Sequence, residues 1–142
     1  MKNSISLLLA ALLAGGILTG CATPAVPVAG SDIRDLDWQL VALGEGSSSV
    51  AAGERPPTLR LDSASARAAG FAGCNRYGAG YVLAGSSLRL TAPLSTRMAC
   101  MDGMALEAAF LDTLPRITGY RLSEGVLVLT AGESVLATFS RP

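Results

Sequence analysis

No histidine occurs anywhere in the 142 residues. That absence removes Ser-His-Asp triads, Cys-His pairs and histidine-ligated zinc or copper at one stroke. Lysine is nearly missing too: Lys2 is the only one, and the rest of the eleven basic residues are arginines, set against eleven carboxylates. The signs are interspersed, so a near-neutral surface has no electrostatic reason to bind nucleic acid or an anionic bilayer. Aromatic residues make up 5% of the chain, with a single tryptophan, few rings with which to fill a wide interior. The three cysteines, Cys21, Cys74 and Cys100, contain no C-x-x-C pair of the kind that redox enzymes use. Neither an internal repeat nor a coiled-coil heptad is present.

What is there begins with a lone positive charge at Lys2, an apolar run from Ile5 to Ala14, then small residues ending in Leu18-Thr19-Gly20-Cys21. This is the layout of a secretory signal, and its end resembles the bacterial lipobox. Small side chains at Thr19 and Gly20 admit the backbone to a signal peptidase, and the Cys21 thiol accepts diacylglycerol. An uncleaved membrane helix is the alternative, but Ile5 to Leu18 is short for one and Gly15 and Gly16 weaken it. Several acyl chains hold a protein stably where one would not. The expectation is therefore a signal peptide over residues 1–20, a lipidated N-terminus and flexible tether over 21–34, and one domain over 35–142. Ala22, where an inner-membrane retention signal would place Asp, favours the outer membrane facing the periplasm. With Cys21 carrying lipid, Cys74 and Cys100 remain in an oxidising compartment and most simply form one disulfide. Closing a loop of about 26 residues would stabilise the fold by roughly 3 to 4 kcal/mol.

Residues 22–31 carry Pro, Ala and Gly without period and read as tether. Trp38 to Leu43 suits a strand, and Gly44 to Pro57 reads as a loop. Thr58-Leu59-Arg60-Leu61-Asp62 alternates apolar and polar, with Ala66 to Ala72 as a partner. Tyr81–Ala84 and Leu88–Thr91 flank a Gly-Ser-Ser turn. Tyr120–Leu122, Val126–Leu129 and Val135–Phe139 are separated by Ser-Glu-Gly and Ala-Gly-Glu-Ser turns. These spacings predict an antiparallel meander. One stretch departs from alternation: Leu106, Phe110 and Leu114 recur every fourth residue, with Leu111 beside them. That predicts a helix of about three turns from Gly103, with Asp102 as its N-cap and Pro115 as its stop.

The most distinctive residues are Gly73-Cys74-Asn75-Arg76-Tyr77-Gly78-Ala79-Gly80-Tyr81, then Ser95-Thr96-Arg97-Met98-Ala99-Cys100. With Trp38-Gln39-Leu40 and Glu107-x-x-Phe110-Leu111, they closely resemble the META domain, the HslJ-like family of envelope proteins, from about Trp38 to Phe139. Met101 departs from the family, whose members often carry proline there. The resemblance implies an α+β, mostly β fold: a curved antiparallel sheet, half-barrel-like, with one helix packed against it. It also implies association with heat or envelope stress and antibiotic tolerance, and it brings neither an enzymatic activity nor a cofactor.

Local chemistry assigns these residues structural work. Gly73, Gly78 and Gly80 serve a tight bend or close backbone approach, and Asn75 caps the bend by bonding its neighbours. The two cysteines staple the bend to the segment before the helix. Tyr77 and Tyr81 share a face, each with a hydroxyl to satisfy. Two readings stay open: a recognition patch of Asn75, Arg76, Tyr77, Thr96 and Arg97 around the bridge, or a folding signature with the binding face elsewhere. Met98, Met101 and Met104 are of a type that suits copper(I), though methionines at such spacing ordinarily fill a core, and no metal is expected. Asp102, Glu107 and Asp112 spread around the helix as a solvated face. The expected function is a non-catalytic lipoprotein that binds an envelope protein or component. The alternatives are a carrier for lipid or apolar peptide, and a thiol oxidoreductase using Cys74 and Cys100.

Overall fold

The structure is a computed structural model that describes residues 32–45, 48–49 and 55–142. The expectations for the signal peptide, for Cys21, for most of the tether and for part of the Gly44–Pro57 loop lie outside the described residues. Among the described residues no helix is long and apolar enough to cross a membrane.

Nine strands appear among those residues: β1 (Trp38–Leu43), β2 (Ser48–Ser49), β3 (Thr58–Asp62), β4 (Arg67–Phe71), β5 (Arg76–Ala84), β6 (Ser87–Ser95), β7 (Gly119–Ser123), β8 (Val126–Ala131) and β9 (Ser134–Ser140). One helix, α1 (Met104–Thr113), runs into a single 3-10 turn, Leu114–Arg116. The main sheet is ordered β6-β5-β4-β3-β1-β9-β8-β7, with β2 pairing with β1 to the side, and every neighbouring pair is antiparallel. The fold is thus α+β with a curved, open antiparallel sheet and one packed helix.

Alternation places the core. Leu59 and Leu61, Leu88 and Leu90, and Leu127 and Leu129 are buried while the residues between them face outward or are half-buried. Pairing register shifts between Leu40 and Ala42, between Gly78 and Gly80, and between Leu129 and Thr130. Such irregularities add local twist and bend a sheet. At the second of them Ala92 takes a left-handed φ of 46°. The curvature brings the two edges together at one end: Leu88 N–H donates to the Thr118 carbonyl at 3.3 Å and Tyr120 N–H to the Ser86 carbonyl at 2.9 Å.

The helix crosses from β6 to β7. Its Met-Ala-Leu-Glu-Ala-Ala-Phe-Leu composition favours helix, and Pro115, lacking an N–H, stands where the α-helix gives way to the 3-10 turn. Phe110 points inward and meets Tyr77 edge-on at 5.5 Å and Phe139 at 6.3 Å. Phe110, Tyr77 and Phe139 thus form one ring cluster in the interior. Trp38 is fully buried, its indole N–H donating to the Ile33 carbonyl at 2.9 Å. Packing thus reaches back to Ile33, within the stretch read as tether. Asp102 does not cap α1; Gly103 occupies the N-cap at φ 83° with no side-chain cap bond, for a reason given below.

Three carboxylates, Asp32 and Asp35 exposed and Asp62 half-buried, tie down the chain around the start of the core. A side-chain bond from the Arg34 guanidinium holds Asp32 down to about 2 from an ordinary 3.8. The Ser63 hydroxyl lowers Asp35, and the Ser65 hydroxyl lowers Asp62. A lowered acid stabilises the fold above its unfolded pKa, and that contribution fades as pH falls through the folded one. With no histidine to titrate, stability is expected to be flat between about pH 5 and 8 and to decline only below the ordinary aspartate range. Denaturation midpoints measured across pH check this, and a step near pH 6 to 7 would contradict it.

Candidate functional site

The motif residues meet at one corner, where the bend before β5, the irregular segment 96–103 and the first turns of α1 touch. Gly73 makes the bend at φ 126°, and Ala72 N–H donates to the Asn75 carbonyl at 2.8 Å. Gly73 and Gly103 lie backbone against backbone. A Cβ on Gly103 would stand 2.5 Å from the Gly73 carbonyl oxygen, and one on Gly73 would stand 3.0 Å from that of Gly103. Both positions also have left-handed φ, so glycine is required twice over. That interlock explains why Gly103, rather than Asp102, begins the helix.

The successive amides of Cys74 and Asn75 both aim at Glu107 of α1. Its Oε2 accepts from Cys74 N–H at 3.2 Å and, more closely, from Asn75 N–H; its Oε1 accepts from Asn75 Nδ2 at 3.0 Å. Two adjacent N–H groups turned to one side form a concavity for negative charge, and here the chain fills it from its own helix. Glu107 is therefore not part of a solvated face, whereas Asp102 and Asp112 are exposed. Glu107→Gln keeps the shape but turns an NH2 toward donors. It is expected to lose about 1 to 3 kcal/mol, read from urea denaturation. A variant as stable as the parent would show that the carboxylate is not needed there.

Asn75 is 3% exposed and uses its whole amide. Nδ2 donates to the Met98 carbonyl at 3.1 Å as well as to Glu107, while Oδ1 accepts from Met98 N–H at 2.8 Å and from the Thr96 hydroxyl at 2.9 Å. All four hydrogen-bonding positions of a primary amide are occupied. The expected local cap is thus replaced by partners more than twenty residues away, and the amide pairs with Met98 much as a strand neighbour would. The Cys74–Cys100 disulfide is formed, with a Cα–Cα distance of 6.0 Å, joining the same two segments two residues further on.

Of the remaining residues predicted here, Tyr77 lies inside. Its hydroxyl donates to the Thr58 carbonyl at 2.9 Å, and burial pushes its pKa far up. Tyr81 shares that face and donates to the Asp62 carbonyl at 3.2 Å. Gly78 and Gly80 belong to β5 rather than to the bend, and neither has positive φ. Arg76, Thr96 and Arg97 are exposed around the bridge. Of the five patch residues, then, three face solvent and two are buried.

Beside the exposed three runs an open groove of about 460 Å³, floored by Asn75 and Glu107 and walled by Thr96, Arg97, Met98 and Ala99 on one side and by Met104, Ala108 and Leu111 of α1 on the other. Its helix wall was not anticipated from the sequence. The Met-x-x-Met-x-x-Met spacing was the available signal, and the core-filler reading of it is overturned: Met98 is 65% exposed, Met101 99% and Met104 54%, with Leu94 at 75% close by. For Met98 the cause is the pinning of its backbone, which bonds inward to Asn75 and leaves the side chain outside. Met104 stands on the outward side of the first turn of α1.

A disulfide-closed, curved, open antiparallel sheet with one helix locked to its bend defines a single α+β domain. The META domain family matches residues 31–142, and the chain belongs to that family. An NMR structure of a protein from Burkholderia xenovorans shares 31% identity over 84% of this chain and 97% of its own, with a TM-score of 0.59. A second NMR structure, at 20% identity, covers 77% of this chain and 91% of its own with the same TM-score of 0.59, a likeness of fold alone. No protein with a curated description matches the chain.

Proposed function

We propose that the protein is a non-catalytic binding module of the bacterial envelope, held by lipid on Cys21 at the periplasmic face of the outer membrane and acting under heat or envelope stress. Its recognition surface is the groove between segment 95–99 and α1, with Arg76, Thr96 and Arg97 on its rim. The partner is an envelope protein or component with an apolar element to place among the methionines.

The observation that carries this reading is that two exposed methionines, Met98 and Met104, line the two walls of one groove. Scattered exposed apolar residues need no explanation, but a contiguous set marks an interaction surface. Methionine in particular adapts to varied partners. The lock of Asn75, Glu107 and the disulfide fixes the backbone beneath, so little order is lost on binding. The thiol oxidoreductase alternative would use the same bridge, in which Cys74 is buried and Cys100 half-buried.

Immobilised protein spanning residues 22–142, which include every described residue, tests the surface. Ala108 is exposed in the groove wall, so Ala108→Arg fills the groove without entering the core. The parent is expected to retain an envelope component that the variant, equally folded, does not. If both retain the same set, or neither retains any, the groove is not the recognition surface. The intact mass of protein extracted from membranes tests the anchor, with loss of residues 1–20 and acyl chains on Cys21 as the expected result.

A further inference from the structure

The chain contains four methionines. Apart from Met1 they are Met98, Met101 and Met104, all within one short segment, and none of these contributes to the core. Methionine is ordinarily among the more buried residue types, so the grouping and the exposure together call for a cause. Adaptable apolar contact is one such cause, and the thioether offers a second that Leu or Val could not. What distinguishes these side chains is sulfur.

The surroundings favour the sulfurs as ligands. The backbone carrying them is fixed at three points: by the Asn75–Met98 pairing, by the Cys100 bridge and by the Gly103–Gly73 contact. Met98 and Met104 line the same groove, and Met101 follows the bridge between them. Each side chain has three rotatable bonds, the freedom that three sulfurs carried on one short segment need to reach a common ion. The set is neutral and does not titrate. Among the described residues no three His, Cys, Asp or Glu side chains gather as a harder metal would need.

We propose that Met98, Met101 and Met104 bind one soft monovalent cation, Cu(I) or Ag(I), through their three thioethers. Soft, uncharged sulfur donors select such ions over Zn(II), which takes nitrogen or thiolate, and over Mg(II) and Ca(II), which take oxygen. Thioethers also persist in an oxidising compartment where free thiols would be lost to disulfides. The proposal departs from the sequence-based expectation of no metal and stands independently of the partner proposed above.

The test is a titration of the bridged protein, carbon-13 labelled at its methionine methyls, with silver nitrate in chloride-free buffer. The resonances of Met98, Met101 and Met104 are expected to move together and to stop at one equivalent. Anaerobic Cu(I), supplied as its bicinchoninate complex, is expected to transfer to the protein, while Zn(II) leaves the resonances in place. Met101 is almost fully exposed, so Met101→Leu has no packing to lose, and it should weaken Ag(I) binding by roughly tenfold or more. Replacement of all three by leucine should abolish it. Shifts that fail to saturate at one equivalent, methyls that respond independently, or a Met101→Leu variant that binds as tightly as the parent would each overturn the proposal.

Discussion

Phe110→Ala is expected to lower stability by about 3 to 5 kcal/mol. Phe110 is fully buried, and it is the ring through which α1 reaches both halves of the sheet, touching Tyr77 of β5 and Phe139 of β9. Those strands belong to opposite wings, separated in the sheet by β4, β3 and β1. Truncation opens a cavity where the wings meet the helix, and neither wing can close it without moving the other. The edge-to-face contacts go as well, each worth about 0.5 to 1.5 kcal/mol beyond area burial. The midpoint of thermal unfolding should fall by roughly 10 to 25 °C. Phe110→Leu, which fills most of the space, should cost much less. A Phe110→Ala variant within about 1 kcal/mol of the parent would mean that the helix is not an integral part of the core.

Replacing both bridge cysteines, Cys74→Ala with Cys100→Ala, is expected to cost about 3.5 kcal/mol. That figure follows from the chain entropy returned to the unfolded state by opening a loop of about 26 residues. The native corner itself should survive, because Asn75 and Glu107 hold the same segments together independently of sulfur. Global stability should therefore drop while the Met98 amide stays protected from exchange in the folded protein. Loss of that protection in the double variant would show that the bridge, and not the amide network, fixes segment 96–103.

Much of the fold is written locally. Alternation at Leu59 and Leu61, Leu88 and Leu90, and Leu127 and Leu129 marks strands because a strand with one buried face must alternate. The spacing of Leu106, Phe110 and Leu114 marks the helix, and Pro115 marks its end. Other features depend on contacts between distant residues and leave no local signature. Nothing in Trp38–Leu43 says that β1 lies between β3 and β9. Gly103 begins the helix because Gly73 presses against it from thirty residues away, whereas the local pattern gave Asp102. Asn75 has the composition of a turn residue and spends its bonds on Met98, Thr96 and Glu107. The methionines were misplaced for the converse reason: residue type predicts burial on average, and only the pinned backbone at Met98 and the position of Met104 at the start of α1 put those side chains outside. Of the candidate site, the bend, the bridge and the exposed Arg76, Thr96 and Arg97 were legible in the sequence, and the groove against α1 was not.

The corner joins a network of hydrogen bonds and a disulfide to a segment whose methionines are exposed. At Met98, inward bonding of the backbone to Asn75 produces both properties at once. Recognition at this corner is the central proposal. It is tested most directly by placing a photo-crosslinking residue at position 98 in the intact protein in cells, with position 121 on β7 as a control. A discrete adduct formed from position 98 and absent from position 121 is the predicted result. No adduct from position 98, or the same adducts from both, would contradict it.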